Sequence, residues 1–384
     1  MIESPLYMDY AATTPVDPRA AERMTACLTP DGNFGNPASR SHVYGWEAEE
    51  AVEAARVQVA GLLGCDPREI AWTSGATESD NLALQGVAMA RTDHGRHIIT
   101  SRIEHKAVVD TCAWLERRGW EVTWLEPQSD GRVLPEQVAA ALRDDTVLVS
   151  LMLVNNELGT INDIGAIAPL VHEAGAILHV DAAQALGKMP IDPAALDVDL
   201  MAFSGHKLYG PKGVGVLYVR NRPQVPLEPL IHGGGQERGR RSGTLPTHQC
   251  VGMGMACELA GLEMEEERAR LEAQRTRFLD GLSNLPGVHL NGSAEQRIPG
   301  IVSLAFAGVD GEALLMALAP DIACSSGSAC NSATVEPSFV LQHIGLENAL
   351  AQATLRFSLG RFTRDEEVDR AVTRITETVT RLRV

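Results

Sequence analysis

The chain lacks the features that would mark a secreted, membrane-bound or metal-stapled protein. Its 384 residues include seven cysteines, and no two of them form a Cys-x-x-Cys pair. A zinc site built of cysteines is therefore not expected. An odd number of thiols in a chain of this size fits a reducing cytosol better than a disulfide framework. No apolar run is long enough to cross a bilayer. Met1 to Tyr10 has no basic region followed by an apolar core, so no secretory signal is expected. The expected location is cytoplasmic. Positive charge is short as well: 33 Lys and Arg against 50 Asp and Glu give a net charge of -17. Wholesale nucleic-acid binding is thereby excluded, although local basic patches are not.

What is present is ordinary globular composition, 45% hydrophobic and 22% charged, in a chain long enough for two domains. Apolar runs at His97 to Thr100, Glu121 to Leu125, Thr146 to Val154 and Ala176 to Val180 predict strands. Helical patterns lie between them at Lys106 to Arg118, Pro135 to Leu142 and Ile164 to Glu173. Glu47 to Leu63 predicts a helix stopped by Gly64, and Glu69 to Thr73 a short strand. Strands alternating with helices predict a parallel sheet covered on both faces. From Cys257 to about Leu285 the pattern is one long charged helix leading into a second domain. Its run Glu263 to Arg270 predicts a solvated face with pairs four residues apart.

Four short stretches sit where strands end. Thr73-Ser74-Gly75-Ala76-Thr77-Glu78-Ser79 is a strand-to-helix turn of small and hydroxyl residues. Such a turn exposes amide groups at a positive helix end and can cradle a phosphate. An ordinary cap by Ser74 or Thr77 is the plainer alternative. Asp181 ends a buried strand on the side where open α/β sheets bind ligands; a carboxylate there needs a cation, or else caps the next helix. Glu104-His105-Lys106 and Val154-Asn155-Asn156-Glu157 also follow strands. Lys207 lies in Phe203-Ser204-Gly205-His206-Lys207-Leu208-Tyr209-Gly210, a glycine turn between two probable strands. Alone, each has a structural reading. Together, a phosphate cradle, a strand-end aspartate, a histidine and a turn lysine are the parts that hold pyridoxal phosphate.

In the second domain, Cys324-Ser325-Ser326-Gly327-Ser328-Ala329-Cys330 has little to bury it. Cys330 is expected to be exposed and reactive, while Cys324 and the five other cysteines are expected to be packed. Arg356, between Leu355 and Phe357, suits a bidentate grip on a carboxylate or an internal salt bridge.

These pieces, with Tyr7 to Pro15, Gly35-Asn36-Pro37, Gly233 to Gly239 and Arg241-Ser242-Gly243-Thr244, resemble the cysteine desulfurases of the IscS/NifS family nearly end to end. The resemblance implies fold type I of the pyridoxal phosphate enzymes. That is an α/β chain: a large cofactor domain, 15–258, holds a mostly parallel seven-stranded sheet, and a smaller α+β domain, 259–384 with 1–14, carries the cysteine loop. It implies a homodimer with sites at the subunit interface. Lys207 is then the lysine bonded to the cofactor, and His105 stacks on its ring. Asp181 pairs with the ring nitrogen and Gln184 reaches the ring hydroxyl. Ala76, Thr77, Ser204 and His206 hold the phosphate, with Thr244 supplied by the other subunit. Asn36, Asn156 and Arg356 hold the substrate L-cysteine, and Cys330 is the nucleophile that takes its sulfur. The product sulfur is expected to pass to an iron–sulfur scaffold protein or to tRNA thiolation. No direct contact with nucleic acid or membrane is implied, and no metal.

Two positions depart from the pattern: Gln236 and Leu153 stand where relatives often have histidine. The chain also ends at Arg383-Val384, without the tail by which longer relatives dock their scaffold. Selenocysteine lyase or another pyridoxal phosphate activity would use the same cofactor residues. A non-catalytic sulfur carrier would need Cys330 alone.

Overall fold

The computed structural model describes residues 5–326 and 337–383. The strands of the large unit are β1 (Ile70–Thr73), β2 (His97–Ser101), β3 (Glu121–Leu125), β4 (Thr146–Met152), β5 (Ile177–Asp181), β6 (Leu200–Ser204) and β7 (Gly215–Val219). They form one seven-stranded sheet in the order β1-β7-β6-β5-β4-β2-β3. Every pairing among β6, β5, β4, β2 and β3 is parallel. Only β7 runs against its neighbours β6 and β1. Strands this rich in Val, Ile and Leu are buried along their whole length at β4, β6 and β7, as a sheet covered on both faces requires.

Three helices frame the site. α1 (Val43–Leu63) ends at Gly64 in the left-handed conformation, φ 66°, where glycine has no Cβ to clash. α2 (Ala76–Ala90) follows β1 directly, and α3 (Lys106–Glu116) follows β2. The long helix α4 (Thr247–Leu282) starts ten residues before the charged stretch that predicts it. Its first three turns are small and apolar and pack on the large core. Its charged run is not simply a solvated face. Glu263 pairs with Arg19, Glu267 with Arg361, and Arg270 donates to the carbonyls of Thr363 and Arg361. These contacts reach across to other segments, and the helix needs its charges there because polar groups of those segments are half-buried.

The smaller unit is an antiparallel sheet of β8 (Val288–Leu290), β9 (Ile301–Phe306), β10 (Ser325–Ser326) and β11 (Thr354–Ser358) in the order β10-β11-β9-β8. Helix α5 (Asp365–Leu382) buries Val368, Ala371, Ile375 and Val379 against it, a spacing of three and four residues that puts them on one stripe. The start of the chain joins this unit. Leu6–Tyr7 pairs in parallel with Ile322–Ala323, and Ser358 donates its amide to Met8. Residues 11–14 then cross to the large unit, so the strand-poor N-terminus spans both. No helix of the described residues is long and apolar enough to cross a membrane.

Candidate active site

Parallel strands expose all their carboxyl ends at one edge, and that edge carries the site. Register does the placing. Thr73 lies opposite Gly215, which lies opposite Ser204, so the end of β1 and the end of β6 come together. Gly215 has to be glycine: a Cβ there would meet the Gly75 Cα at 2.5 Å. This close approach sets the Ser204 hydroxyl 3.8 Å from where a Gly75 side chain would begin.

Gly75, not Ser74 or Thr77, is the residue at the head of α2, with φ 152° and no side-chain cap. The Ser74 amide is taken by Glu78 at 2.9 Å, and Glu78 is fixed by an ion pair with Arg241 at 2.8 Å. The Ala76 and Thr77 amides thus open a helix whose N-terminus no side chain covers. Thr77 is exposed and Ala76 half-buried. His206 reaches Thr13 Oγ1 through Nδ1 at 3.1 Å. Burial first, then Lys207, Lys212 and Lys188, push its pKa down to about 4, so the ring is neutral near pH 7.

Lys207 closes a single 3-10 turn, Gly205–Lys207. Tyr209 behind it is left-handed, φ 65°, a strained conformation for a bulky residue. The N-terminal segment holds it there: Thr14 accepts the Tyr209 amide through Oγ1 at 2.8 Å and donates its own amide to His206. Lys207 Nζ donates to the Ala11 carbonyl at 2.5 Å and to Ala12 at 2.7 Å.

Asp181 is buried at the end of β5, and its Oδ1 accepts the Ala183 amide at 2.9 Å. Burial raises its pKa, while His105, the Ala183 amide and Lys207 act in the opposite sense. One ligand atom each from Asp181, His105 and Asp80 lie within 4.8 Å of one another. His105 caps α3, its Nδ1 accepting the Ala107 amide at 3.2 Å. Its proton is therefore on Nε2 when the ring is neutral. Asp80 is fully buried, and burial beside Asp181 and Glu104 holds its pKa well above the carboxylate range. It lies 3.5 Å from His179 Nε2, whose pKa burial pushes down to about 3. The floor of the site is thus built of neutral groups around Asp181.

Gln184 is oriented by two contacts: Nε2 donates to the Ala11 carbonyl at 2.9 Å and Oε1 accepts from Lys188 at 2.7 Å. Arg356, buried on β11, donates to the Asn156 carbonyl at 2.9 Å, to Asp9 at 3.0 Å and to Ser325 at 3.3 Å. Its Nε has no partner among the described residues. Both readings of this arginine are therefore present: an internal ion pair, and an incompletely satisfied fork. Asn36 and Thr244 are exposed. Thr244 lines a surface groove with Pro37, Ala38, Arg40 and Gln236.

Cys330 lies outside the described residues. The segments on either side of it are tied down. Ser325 donates to Asp9 at 3.0 Å, and Ser338 to buried Glu157 at 2.5 Å. Burial keeps the other thiols protonated: Cys324, Cys65 and Cys257 are pushed up to about 12, and Cys112 and Cys250 higher. Of the two departures, Leu153 is a buried core residue, and Gln236 takes the Gly243 amide at 2.9 Å.

Sequence reasoning missed Asp9, Asp80, Glu157 and Lys188. Their signals were weak: Asp9, Asp80 and Glu157 are defined by partners distant in sequence, and Lys188 by a pairing with Gln184 that only the fold singles out. Asp9 and Glu157 stand in stretches, Tyr7 to Pro15 and Val154 to Glu157, that the family resemblance had singled out without giving either residue a role.

The chain matches the family described as "Aminotransferase class-V" over residues 6–371. It is 61% identical over 379 residues to "Cysteine desulfurase IscS" of Pseudomonas putida KT2440, covering 99% of this chain and 94% of that one. The corresponding protein of Pseudomonas aeruginosa PAO1 is 59% identical with the same coverage. Among solved structures, a "NIFS-LIKE PROTEIN" superposes with a TM-score of 0.92 at 39% identity, covering 98% of this chain and all of the other. "SspA in complex with cysteine" superposes at 0.83 with 38% identity, covering 94% of this chain and 100% of that one.

Proposed function

The chain belongs to the class-V aminotransferase family and is a pyridoxal phosphate-dependent cysteine desulfurase; from that premise we propose how its residues divide the work. The observation that carries the reading is the single edge of the sheet where the uncapped head of α2, Ser204, Lys207, Asp181 and His105 converge. These residues fit the cofactor. An open helix N-terminus with a hydroxyl beside it suits a phosphate. A buried carboxylate suits a protonated ring nitrogen, and a flat histidine suits the ring face. When bound, pyridoxal phosphate supplies an electron sink for the pair released at the substrate Cα.

The chain's own residues do the rest. Ala76, Thr77, Ser204 and His206 hold the phosphate, and Thr244 of a second subunit adds to them. Asp181 and Gln184 fix the ring, and Lys207 anchors it covalently. Lys207 would also be the base that takes the substrate Cα proton. Asn36, Asn156 and Arg356 hold the substrate, Arg356 gripping its carboxylate. The Cys330 thiolate attacks the substrate sulfur. A sulfur–sulfur bond forms, the Cβ–sulfur bond breaks, and its electron pair stays on carbon. Protonation there gives L-alanine, so L-cysteine and the Cys330 thiol become L-alanine and a persulfide with no outside oxidant. The 15–258 and 259–384 division with 1–14 is proposed to separate cofactor holding from sulfur transfer.

A cytoplasmic homodimer is proposed. Phe34 and Tyr44 support the dimer, because both are more than half exposed and monomers seldom leave paired apolar rings in water. The Phe34 and Tyr44 rings lie 5.3 Å apart, tilted by 41°. The sulfur is proposed to pass to a protein acceptor such as an iron–sulfur scaffold. The test is stoichiometry: the purified protein should convert L-cysteine to equal amounts of alanine and reducible sulfur. Turnover of selenocysteine alone would reject the cysteine assignment.

A further inference from the structure

Gln184 is an amide, and an amide has two ends of opposite character. Which end faces the cofactor decides whether the ring oxygen meets a donor or an acceptor. Two neighbours fix the answer here. Charged Lys188 has only N–H donors, and the Ala11 carbonyl claims the amide nitrogen, so the atom 2.7 Å from Lys188 Nζ is the amide oxygen. The Ala11 carbonyl has only lone pairs, so the atom 2.9 Å from it must be the amide nitrogen. The Ala11 carbonyl is also the acceptor for Lys207 Nζ, which ties Gln184 to the cofactor lysine through one shared atom.

Lys188 is an unusual residue to spend on this. It lines an enclosed cavity with Tyr10, Ala11, Gly187, Tyr209 and Glu267. Burial and the charges of Lys207 and Arg356 lower its pKa to about 7, against the opposing pull of Glu267. A lysine nitrogen placed among cations is held by a specific contact, and that contact is Gln184 Oε1.

We propose that Lys188 is a positioning residue that locks the Gln184 side chain with its NH2 group toward the cofactor, so that the ring oxygen always meets a donor. The second N–H of Gln184, left over after Ala11, is the one that donates. This rests on the pyridoxal phosphate reading above. A donor on the ring oxygen stabilises its anionic form and weakens its hold on the proton shared with the lysine-linked nitrogen. Without Lys188 the amide is free to turn its oxygen inward, and that proton is held more tightly.

The test is the pH titration of the visible absorbance of the cofactor-loaded enzyme, together with cofactor affinity of the stripped protein. Lys188→Met keeps the stem and removes the donor. It should raise the titration midpoint by about one pH unit, tenfold in proton affinity, and weaken cofactor binding several-fold. Lys188→Arg, which still donates, should restore both. In a Gln184→Leu background, Lys188→Met should cause no further shift, because residues acting through one another are not additive. An unchanged midpoint in Lys188→Met would overturn the proposal. So would an equal shift in the Gln184→Leu background, which would mean that the charge acts directly. Should Lys188→Met fail to fold, Lys188→Gln gives the same comparison. A wild-type protein with no cofactor band would fail the cofactor reading itself, whereas a band indifferent to Lys188 fails only this proposal.

Discussion

Replacing Arg356 by lysine keeps the charge and removes the fork. In the structure the guanidinium makes three contacts at once, to Asn156, Asp9 and Ser325, and it is nearly fully buried. A lysine has one nitrogen on a flexible stem and cannot span those directions together with a substrate carboxylate. A hydrogen bond to a charged group contributes about 1.5–3 kcal/mol. Losing one of two bonds to the carboxylate therefore weakens substrate binding by about 10- to 100-fold, since ~1.4 kcal/mol is tenfold. Asp9 sharpens the expectation, because it competes for the same nitrogen and would hold a lysine ammonium away from the substrate. The assay is alanine formation against L-cysteine concentration, with the cofactor absorbance recorded in parallel. KM should rise by that factor while the cofactor band stays unchanged. An unchanged KM would refute the assignment of Arg356 to the carboxylate and leave only its structural pairing with Asp9.

Two further variants test the frame around the site. Glu237 and Arg56 form a buried two-bond pair at 2.7 and 2.8 Å, and Glu237 also takes the Trp72 amide at 2.7 Å. Glu237→Gln removes the buried negative charge but leaves Arg56 its pair with half-exposed Glu53 and its bond to the Ile70 carbonyl, so it should cost about 1–3 kcal/mol, seen as a lower denaturant midpoint; an unchanged midpoint would contradict the buried-pair reading. Glu104 is buried and its pKa is raised by burial from 4.5 to about 8, against a 2.6 Å hydrogen bond from Ser101. The folded state then keeps a proton that the unfolded state has lost. Its contribution to stability is full below pH 4.5 and disappears as pH rises through about 8. Glu104→Gln should flatten that decline and stabilise the protein at pH 8 by roughly a few kcal/mol; parallel stability curves for both proteins would contradict it.

The parallel sheet was legible because buried strands are dense in Val, Ile and Leu and alternate with helical patterns. Ile164–Glu173 and Glu121–Leu125 fall where the periodicity puts them. The head of α2 was misread in one respect. Residue type pointed to Ser74 or Thr77 as a cap, but Gly75 holds that place at φ 152°, a conformation that side chains disfavour, and its Cα packs so close to Gly215 that no side chain fits at 215, a tertiary demand. The charged run of α4 was misread for the same reason, since Arg19 and Arg361 are far away in sequence. Lys188 gave no signal of its own: a lysine four residues after a glutamine is common, and only the fold brings its charge near Lys207. Lys207 and Asp181 stood out in the sequence only together, as parts of one proposed set. Cys330 was singled out by its small and polar neighbours, and it lies outside the described residues.

The central claim is that sulfur leaves L-cysteine onto Cys330. Intact mass of the protein after a single exposure to L-cysteine, without reductant, tests it most directly. The wild-type chain should gain the mass of one sulfur, removable by a thiol reductant. Cys330→Ala should keep its cofactor band and gain nothing. A sulfur adduct that persists in Cys330→Ala would contradict the account.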